Sequence, residues 1–219
     1  MELHQIETNL DSPNPQDRLQ AIAELRQYES ALAIPLLQRR MYDQEFVIRS
    51  FVANGLGVQQ TDEAFELLVD FIKNDRDHNV RAEAANSLAK YGDRAIPHLR
   101  DLFQQDSHWL VQQSVLAALD GKKYPEILFK LCLIALRGNN SLTVQQAAIS
   151  KLGELAPTSQ ASSALELLLS GVDSVEGTIR SQTALVLRQF NHPKAKAALA
   201  KLRNDSDYQV VATTLEGLI

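Results

Sequence analysis

The sequence predicts an all-α fold, a right-handed α-solenoid of helical hairpins with six repeats and a C-terminal half-repeat. One anchor position recurs at intervals of 31 to 35 residues, which is a period typical of stacked helical hairpins. A leucine stands seven residues after each anchor. No segment shows the alternating polarity of a half-buried strand.

The anchors place one apolar face on each first helix of a hairpin. The anchor residues are Arg18, Arg49, Arg81, Gln112, Gln145, Arg180 and Val211. The leucines that follow them are Leu25, Leu56, Leu88, Leu119, Leu152, Leu187 and Leu218. Apolar residues also stand directly before six anchors and four residues after all of them. Offsets of −1, +4 and +7 share a helical face, so we expect that face to enter the core.

Proline and glycine mark the other boundaries. Proline is tolerated in the first turn of a helix, where its missing N–H has no intrahelical partner. We therefore expect prolines to open the second helices of four hairpins, at Pro35, Pro97, Pro125 and Pro193. Glycines such as Gly55 and Gly57 are interpreted as turn residues. Aspartates before the first helices are expected to cap them, at 75–77, 106 and 205–207.

The repeats predict one continuous domain over residues 1–219. Residues 1–11 form an N-terminal cap segment, in which Leu3, Ile6 and Leu10 are spaced for a short helix. Residues 205–219 form the half-repeat, ending in Leu218-Ile219 without a second helix to cover it. An uncovered apolar end favours contact with another chain. The sequence thus predicts a homodimer contact or a partner contact there.

Composition argues against several function classes. Lys and Arg total 22 against 27 Asp and Glu, a net charge of −5, whereas nucleic-acid binding needs a concentrated basic surface. No apolar stretch reaches membrane-spanning length, and no signal-peptide pattern opens the chain. One cysteine rules out an intramolecular disulfide. We expect a cytoplasmic protein with no nucleic-acid partner and no membrane insertion.

The sequence shows no metal-binding motif and no catalytic motif. The five histidines lack His-x₃-His spacing. His78 and His108 precede neighbouring first helices, which pack about 8–10 Å apart, so we expect separate, solvated turn residues. Cys132 lies in an apolar segment, with no base nearby in sequence to lower its pKa. It is therefore interpreted as a core residue, and we assign no catalytic residue, no metal ligand and no required cofactor.

The anchor arginines suggest a ladder of ion pairs between repeats. Arg49, Arg81 and Arg180 each follow an aspartate a few residues upstream. The expected partners are Asp43, Asp75 or Asp77, and Asp173. Because the pattern follows the repeat, we expect a structural role.

Aromatic residues recur three positions before the anchors, at Phe46, His78, Trp109 and Tyr208. Exposed aromatics at one edge are typical of interface anchors, so these four are candidate partner-binding residues. The alternative is that they only cover the turn of the adjacent repeat. Both interpretations remain open at the level of sequence.

One repeat carries a family resemblance. Residues 75–93, from Asp75 through Val80-Arg81 and Ala84-Ala85 to Gly92-Asp93, resemble the HEAT-like repeat of the phycobilisome lyase family. The resemblance covers nearly the whole chain, although glutamine or valine replaces the arginine in three repeats. It implies a HEAT solenoid that handles phycobiliproteins, with a possible transient bilin such as phycocyanobilin as ligand.

A bilin carries two propionates, so its handler needs cations beside an apolar or aromatic groove. The candidate edges for such a ligand are Arg39, Arg40 and Tyr42, and Lys122, Lys123 and Tyr124. Solvated turn charges explain both groups equally well.

The resemblance leaves three functions open. The first is an adaptor that binds phycocyanin or allophycocyanin and assists antenna degradation under nutrient stress. The second is a bilin lyase-type subunit, acting alone or beside a second HEAT-repeat subunit. The third is a cytoplasmic scaffold unrelated to the antenna. The absence of a recognisable catalytic motif favours a protein that is not itself an enzyme.

Overall fold

The computed structural model describes residues 1–138 and 140–215, and these residues form fourteen α-helices and no strand. The all-α fold is confirmed. The chain divides into two compact units, Met1–Ala118 and Leu119–Ile219. The prediction of one continuous domain stays a prediction.

The first unit contains two layers of helices. Its helices are α1 (Leu3–Leu10), α2 (Pro15–Glu24), α3 (Ser30–Gln38), α4 (Phe46–Gln59), α5 (Asp62–Asn74), α6 (His78–Ala89), α7 (Ile96–Gln105) and α8 (Trp109–Ala118). Helices α2, α4, α6 and α8 pack one on the next and form the first-helix layer. Helices α1, α3, α5 and α7 form the second-helix layer.

The second unit repeats the arrangement. Its helices are α9 (Pro125–Arg137), α10 (Leu142–Gly153), α11 (Ala161–Leu169), α12 (Gly177–Leu187), α13 (Pro193–Leu202) and α14 (Tyr208–Leu215). Helices α10, α12 and α14 form its first-helix layer, and α9, α11 and α13 form its second-helix layer. None of the described helices is long and apolar enough to span a bilayer.

The periodic leucines lie in the core, as the helical spacing predicts. Six of the seven are at most 1 % exposed, and the seventh, Leu218, lies outside the described residues. The predicted helix within the cap segment forms as α1, with Ile6 and Leu10 buried. The half-repeat begins as α14, while its expected apolar end, Leu218-Ile219, also lies outside the described residues.

Three of the four prolines lie in the first turn of a second helix, as predicted, at Pro97, Pro125 and Pro193. The prediction for Pro35 is wrong, because α3 begins five residues earlier, at Ser30. A 3₁₀ turn at Gly92–Ala95 precedes α7 and delays its start. The 3₁₀ turn that precedes α3, at Leu25–Gln27, ends before Tyr28 and leaves α3 free to begin at Ser30, whose hydroxyl donates to the Gln59 side chain at 2.9 Å.

Gly55 and Gly57 were expected in turns, but both lie buried inside α4. A Cβ at Gly57 would lie 2.6 Å from Cβ and Oγ of Ser87 on α6. Glycine is therefore required there for close helix packing. In a sequence, glycine signals both turns and tight helix–helix contacts, so the two cases could not be distinguished before the structure.

Candidate functional site

Buried arginines of the first-helix layer form the predicted ladder. Arg49 is 4 % exposed, and its Nε and Nη2 donate to the two carboxylate oxygens of Asp75 at 2.7 and 3.0 Å. Its Nη1 donates to the backbone carbonyls of Asp43 and Gln44. The hydrogen bonds to Asp75 raise the pKa of Arg49 above its ordinary value. The Arg49 side chain therefore joins the loop before α4 to the loop before α6.

The predicted direction of the ladder is wrong. Each arginine pairs with an aspartate about 25 residues downstream, in the following repeat. The pairs are Arg18–Asp43, Arg49–Asp75, Arg81–Asp106 and Arg180–Asp205. The upstream loop accepts through its backbone carbonyls instead. The upstream carboxylate of Asp173 pairs with Lys201, so it does not bind Arg180.

The paired aspartates also position the next helix. Asp75 accepts from the backbone N–H of Asp77 at 2.8 Å, and Asp77 accepts from that of Asn79 at the start of α6. Asp205 and Asp207 repeat this arrangement before α14. The predicted caps at these loops are confirmed. The ladder is thus part of how each repeat sets the start of the following first helix.

Glutamine replaces arginine at two anchors. Gln112 donates to the carbonyl of Phe103 at 3.4 Å, and Gln145 donates to that of Asn140 at 2.9 Å. Each glutamine still reaches a backbone carbonyl, but it forms no ion pair.

Three rings stack at the start of α6 and α8. The His78 and His108 rings lie 3.7 Å apart between centroids, with an angle of 15° between their planes. Trp109 stacks beyond His108 at 5.9 Å and is 45 % exposed. The expectation that the two histidines are separate is wrong, because side chains from neighbouring helix starts span the distance between the helix axes. We call His78, His108 and Trp109 the ring cluster.

A backbone hydrogen bond fixes the protonation of His108. Its Nδ1 accepts from the backbone N–H of Leu110 at 3.3 Å, so this nitrogen must carry no proton. Partial burial and the neighbouring His78 lower the pKa of His108 below its ordinary value of 6.5. The carboxylates of Asp106 and Asp77 raise the pKa of His108, and Arg81 lowers it further.

Acidification is expected to destabilise the ring cluster. Because the pKa of His108 is lower in the folded chain than in the unfolded chain, the stabilisation is complete above about pH 6.5 and is lost as the pH falls through the folded value. Trp109 is the only tryptophan, so its fluorescence reports on this site. We expect thermal melts followed by this fluorescence to show lower stability at pH 5 than at pH 7.5.

The replacement His108→Gln should remove part of that pH dependence, whereas His4→Gln, at an exposed site on α1, should leave it unchanged. An identical pH profile for His108→Gln and the wild-type chain would contradict the prediction.

The four candidate partner-binding residues all begin first helices, at α4, α6, α8 and α14. Phe46 is 41 % exposed and Tyr208 is 78 % exposed. Phe46, His78 and Trp109 belong to the first unit, and Tyr208 belongs to the second. Their role in binding stays a prediction. Sequence reasoning interpreted His108 as a solvated turn residue and so left it out of the candidate partner-binding residues.

The first candidate ligand edge is largely occupied by ion pairs. Arg39 and Arg40 both pair with Asp11 at the end of α1. Tyr42 is exposed and borders a pocket of about 540 Å³ that Arg49, Asp75 and Arg76 also line. The arginines therefore join α1 to α3, and Tyr42 is the group of this edge that faces open space.

The second candidate edge is a turn. The backbone N–H groups of Lys122 and Lys123 donate to the Asp120 carboxylate, which holds the turn before α9. The Lys123 ammonium lies 5.0 Å from the centre of the Tyr124 ring, within the range of a cation–π contact. Lys122 is exposed.

Sequence reasoning also missed a pocket between α9 and α11, about 540 Å³ in volume. Four apolar residues line it, Phe129, Leu133, Leu136 and Leu167, together with Arg137, Glu166 and three serines. The signal was a second apolar stripe on α9, at Phe129, Leu133 and Leu136.

Cys132 lies fully buried in α9, and burial raises its pKa to about 12. The thiol is therefore protonated at neutral pH, as expected for a core residue. In the described ranges, no three His, Cys, Asp or Glu side chains group as metal ligands.

Stacked helical hairpins joined by a buried Arg–Asp ladder define a repeat protein of the α-solenoid class. The chain belongs to the HEAT-repeat family, whose model matches residues 35–120 and 130–219. Among curated proteins, none matches the sequence.

Solved structures share the fold. The complex of CpcE and CpcF of phycocyanin lyase from Nostoc sp. matches 100 % of this chain and 87 % of that chain, at 22 % identity and a TM-score of 0.55. YibA from Escherichia coli matches 97 % of this chain and 80 % of that chain, at 16 % identity and a TM-score of 0.64. An engineered protein matches 98 % of this chain and 67 % of its own length, at 18 % identity and a TM-score of 0.52.

Proposed function

We propose that this HEAT-repeat chain is a protein-binding adaptor of the phycobilisome, which grips phycobiliproteins and assists antenna degradation under nutrient stress. In this proposal it corresponds to the cyanobacterial phycobilisome-degradation, or non-bleaching, type of protein. It acts in the cytoplasm on phycocyanin or allophycocyanin. No residue carries a catalytic role.

The ring cluster is the observation that carries the binding role. Stacked rings are rigid, and Trp109 presents nearly half of its surface to solvent at the end of the stack. Exposed, preorganised aromatic groups are typical interface anchors because they bury a large area at little entropic cost. The repeat phrase at 75–93 supports an antenna protein as partner, and so does the fold shared with a phycocyanin lyase complex.

Mixing the purified chain with phycocyanin and, separately, with free phycocyanobilin tests the proposal. An adaptor forms a complex with phycocyanin, measured by analytical ultracentrifugation, and leaves the visible absorption spectrum unchanged. A lyase-type subunit binds the free bilin or transfers it, with a spectral shift. Absence of any interaction would overturn both functions and leave a scaffold unrelated to the antenna.

Trp109→Ala is expected to weaken phycocyanin binding at least about tenfold with little change in melting temperature. An exposed ring contributes more to an interface than to its own fold. Phe51→Ala, a replacement of a 37 % exposed aromatic on α4, is the matched control. If Trp109→Ala lowers the melting temperature and leaves binding intact, the ring only covers the adjacent repeat.

The apolar pocket between α9 and α11 favours the lyase-type function as the second candidate. A tetrapyrrole needs an apolar wall and cations for its propionates, and this pocket offers Phe129 and Leu133 as apolar wall and Arg137 as a cation for one propionate. Under this alternative, Arg137→Ala abolishes the spectral shift of phycocyanobilin and leaves the phycocyanin complex intact.

The second HEAT subunit, or a second copy of this chain, remains part of the proposal as a partner through the half-repeat. The phycocyanin lyase structure is a complex of two subunits. Deleting residues 205–219 tests the contact, since loss of a dimer in sedimentation supports it and a monomeric full-length chain with intact partner binding overturns it.

A further inference from the structure

Ion pairs between neighbouring second-layer helices share one direction. Within each unit, the acid lies on the earlier helix or in the turn beside it, and the base lies on the later helix or in the turn beside it. The pairs are Asp11 with Arg39 and Arg40, Asp62 and Glu66 with Arg94, Glu166 with Lys194, and Asp173 with Lys201. These three joints, α1–α3, α5–α7 and α11–α13, place a negative flank of the earlier helix, its outgoing flank, against a positive flank of the later helix, its incoming flank. Among the described residues, no such ion pair joins α3 to α5 or α9 to α11.

Helix α13 differs from α1, α5 and α11 on its outgoing flank. Glu166 and Asp173 each follow a buried residue of the preceding repeat, at Leu165 and Val172. The corresponding residues of α13 follow buried Ala195 and Leu202, and they are Lys196 and Arg203. Two positive side chains stand where the preceding repeat presents two negative ones.

The two flanks of α13 are distinct. Lys194 and Lys201 face α11, where they pair with its acids. Lys196 and Arg203 lie two residues further on, about 200° around the helix, so they face away from α11. Both are exposed, and neither has an ion-pair partner among residues 1–138 and 140–215. No described helix covers this flank.

The segment that contains this flank is basic, although four of its cations are engaged elsewhere, Arg180 with Asp205, Arg188 with the Thr213 carbonyl, Lys194 with Glu166 and Lys201 with Asp173. Residues 177–204 contain six Lys and Arg and no Asp or Glu. The Arg–Asp ladder also changes at this end, because the anchor of α14 is Val211 and offers no cation to a following aspartate. Gln112 and Gln145 likewise offer no such cation at internal joints.

We infer that the flank of α13 marked by Lys196 and Arg203 is a docking surface for an acidic helix of a protein partner, with two carboxylates seven residues apart. Seven residues span about 10 Å of helix axis, which matches the spacing of the two cations. Such a helix packs beside α13 as the next member of the second-helix layer. It forms acid–base pairs like those of the other joints, except that the earlier helix, α13, carries the cations and the partner helix carries the acids. This inference goes beyond the proposed function, because it names a surface and a partner chemistry that hold whichever protein bears the helix.

The probe is a fluorescein-labelled, alanine-rich helical peptide with glutamates at i and i+7, measured by anisotropy against the full chain. One comparison peptide places the same glutamates on opposite faces, and another carries lysines instead. The variant is Lys196→Glu with Arg203→Glu. The matched control is Lys90→Glu with Lys130→Glu, which makes the same charge change at exposed sites away from α13.

We expect the double variant to bind the i, i+7 glutamate peptide at least about tenfold more weakly, and the control to stay within about twofold. The variant should gain binding to the lysine peptide, and high salt should weaken both complexes by screening. Equal binding by wild type and variant overturns the inference. So does equal binding of the two glutamate peptides, or tighter binding of single-stranded DNA, which would indicate a general polyanion surface.

The same variant tested against phycocyanin separates this inference from the proposed function. Peptide binding through α13 without any phycocyanin complex overturns the adaptor function alone. A phycocyanin complex that forms in the absence of peptide binding overturns the docking surface alone.

Discussion

Replacing Arg49 by alanine is expected to lower the free energy of unfolding of the first unit by about 3 kcal/mol. Arg49 is 4 % exposed, and its partner carboxylate on Asp75 is similarly buried. Removing one member leaves Asp75 charged in a region that water hardly reaches, and it also releases the carbonyls of the loop at Asp43. Urea unfolding followed by Trp109 fluorescence measures the change within the same unit.

Two further replacements make this result specific. Arg39→Ala removes an ion pair whose members are 41 % and 53 % exposed, so we expect a loss below about 1 kcal/mol. Arg49→Lys keeps the charge but cannot form the two-point contact with Asp75, and we expect it to recover less than half of the loss. Equal effects of Arg49→Ala and Arg39→Ala would show that burial does not set the strength of the ladder.

The repeats could be predicted because spacing and helical periodicity are local properties of the sequence. A leucine seven residues after an anchor lies on the core face wherever the helices stack, so Leu56 and Leu88 are buried as expected. The caps at Asp77 and Asp207 follow from the same local chemistry. The helix starts at Pro125 and Pro193 follow from local chemistry as well.

The contacts between repeats could not be read from the sequence in the same way. Arg49 lies close to Asp43 along the chain but pairs with Asp75, because helix stacking brings the following loop beside the guanidinium. The stacking of His78 on His108 depends on side-chain directions at two helix starts. Periodicity gives the separation of the helix axes and leaves those directions undetermined.

The candidate site, too, could be predicted from the sequence only in its local features. Sequence spacing placed Phe46, His78, Trp109 and Tyr208 at helix starts, which the structure confirms. Which of them form a contiguous surface depends on contacts between repeats, and the structure adds His108 to His78 and Trp109. Charge balance along the whole chain also hides the basic flank of α13, since a net charge of −5 says nothing about one helix face.

Gly57→Ala is expected to destabilise the first unit by about 2 kcal/mol, because added atoms in a packed interface force shifts or strain. The new Cβ would lie 2.6 Å from the Ser87 side chain and 3.1 Å from its Cα. Helix propensity alone predicts the opposite sign, since alanine in a helix interior is favoured over glycine by about 1 kcal/mol. The sign of the measured change therefore decides between packing and propensity.

The double variant Gly57→Ala with Ser87→Gly tests whether the loss comes from this one contact. Removing the Ser87 side chain makes room for the new methyl group, so we expect the two changes to be coupled by at least about 1 kcal/mol. The matched control combines Gly57→Ala with Asn86→Gly, which adds a glycine at an exposed neighbouring position of α6. Its two effects should add, because Asn86 points away from α4. Additive effects in both double variants would mean that the α4–α6 interface absorbs the methyl group elsewhere.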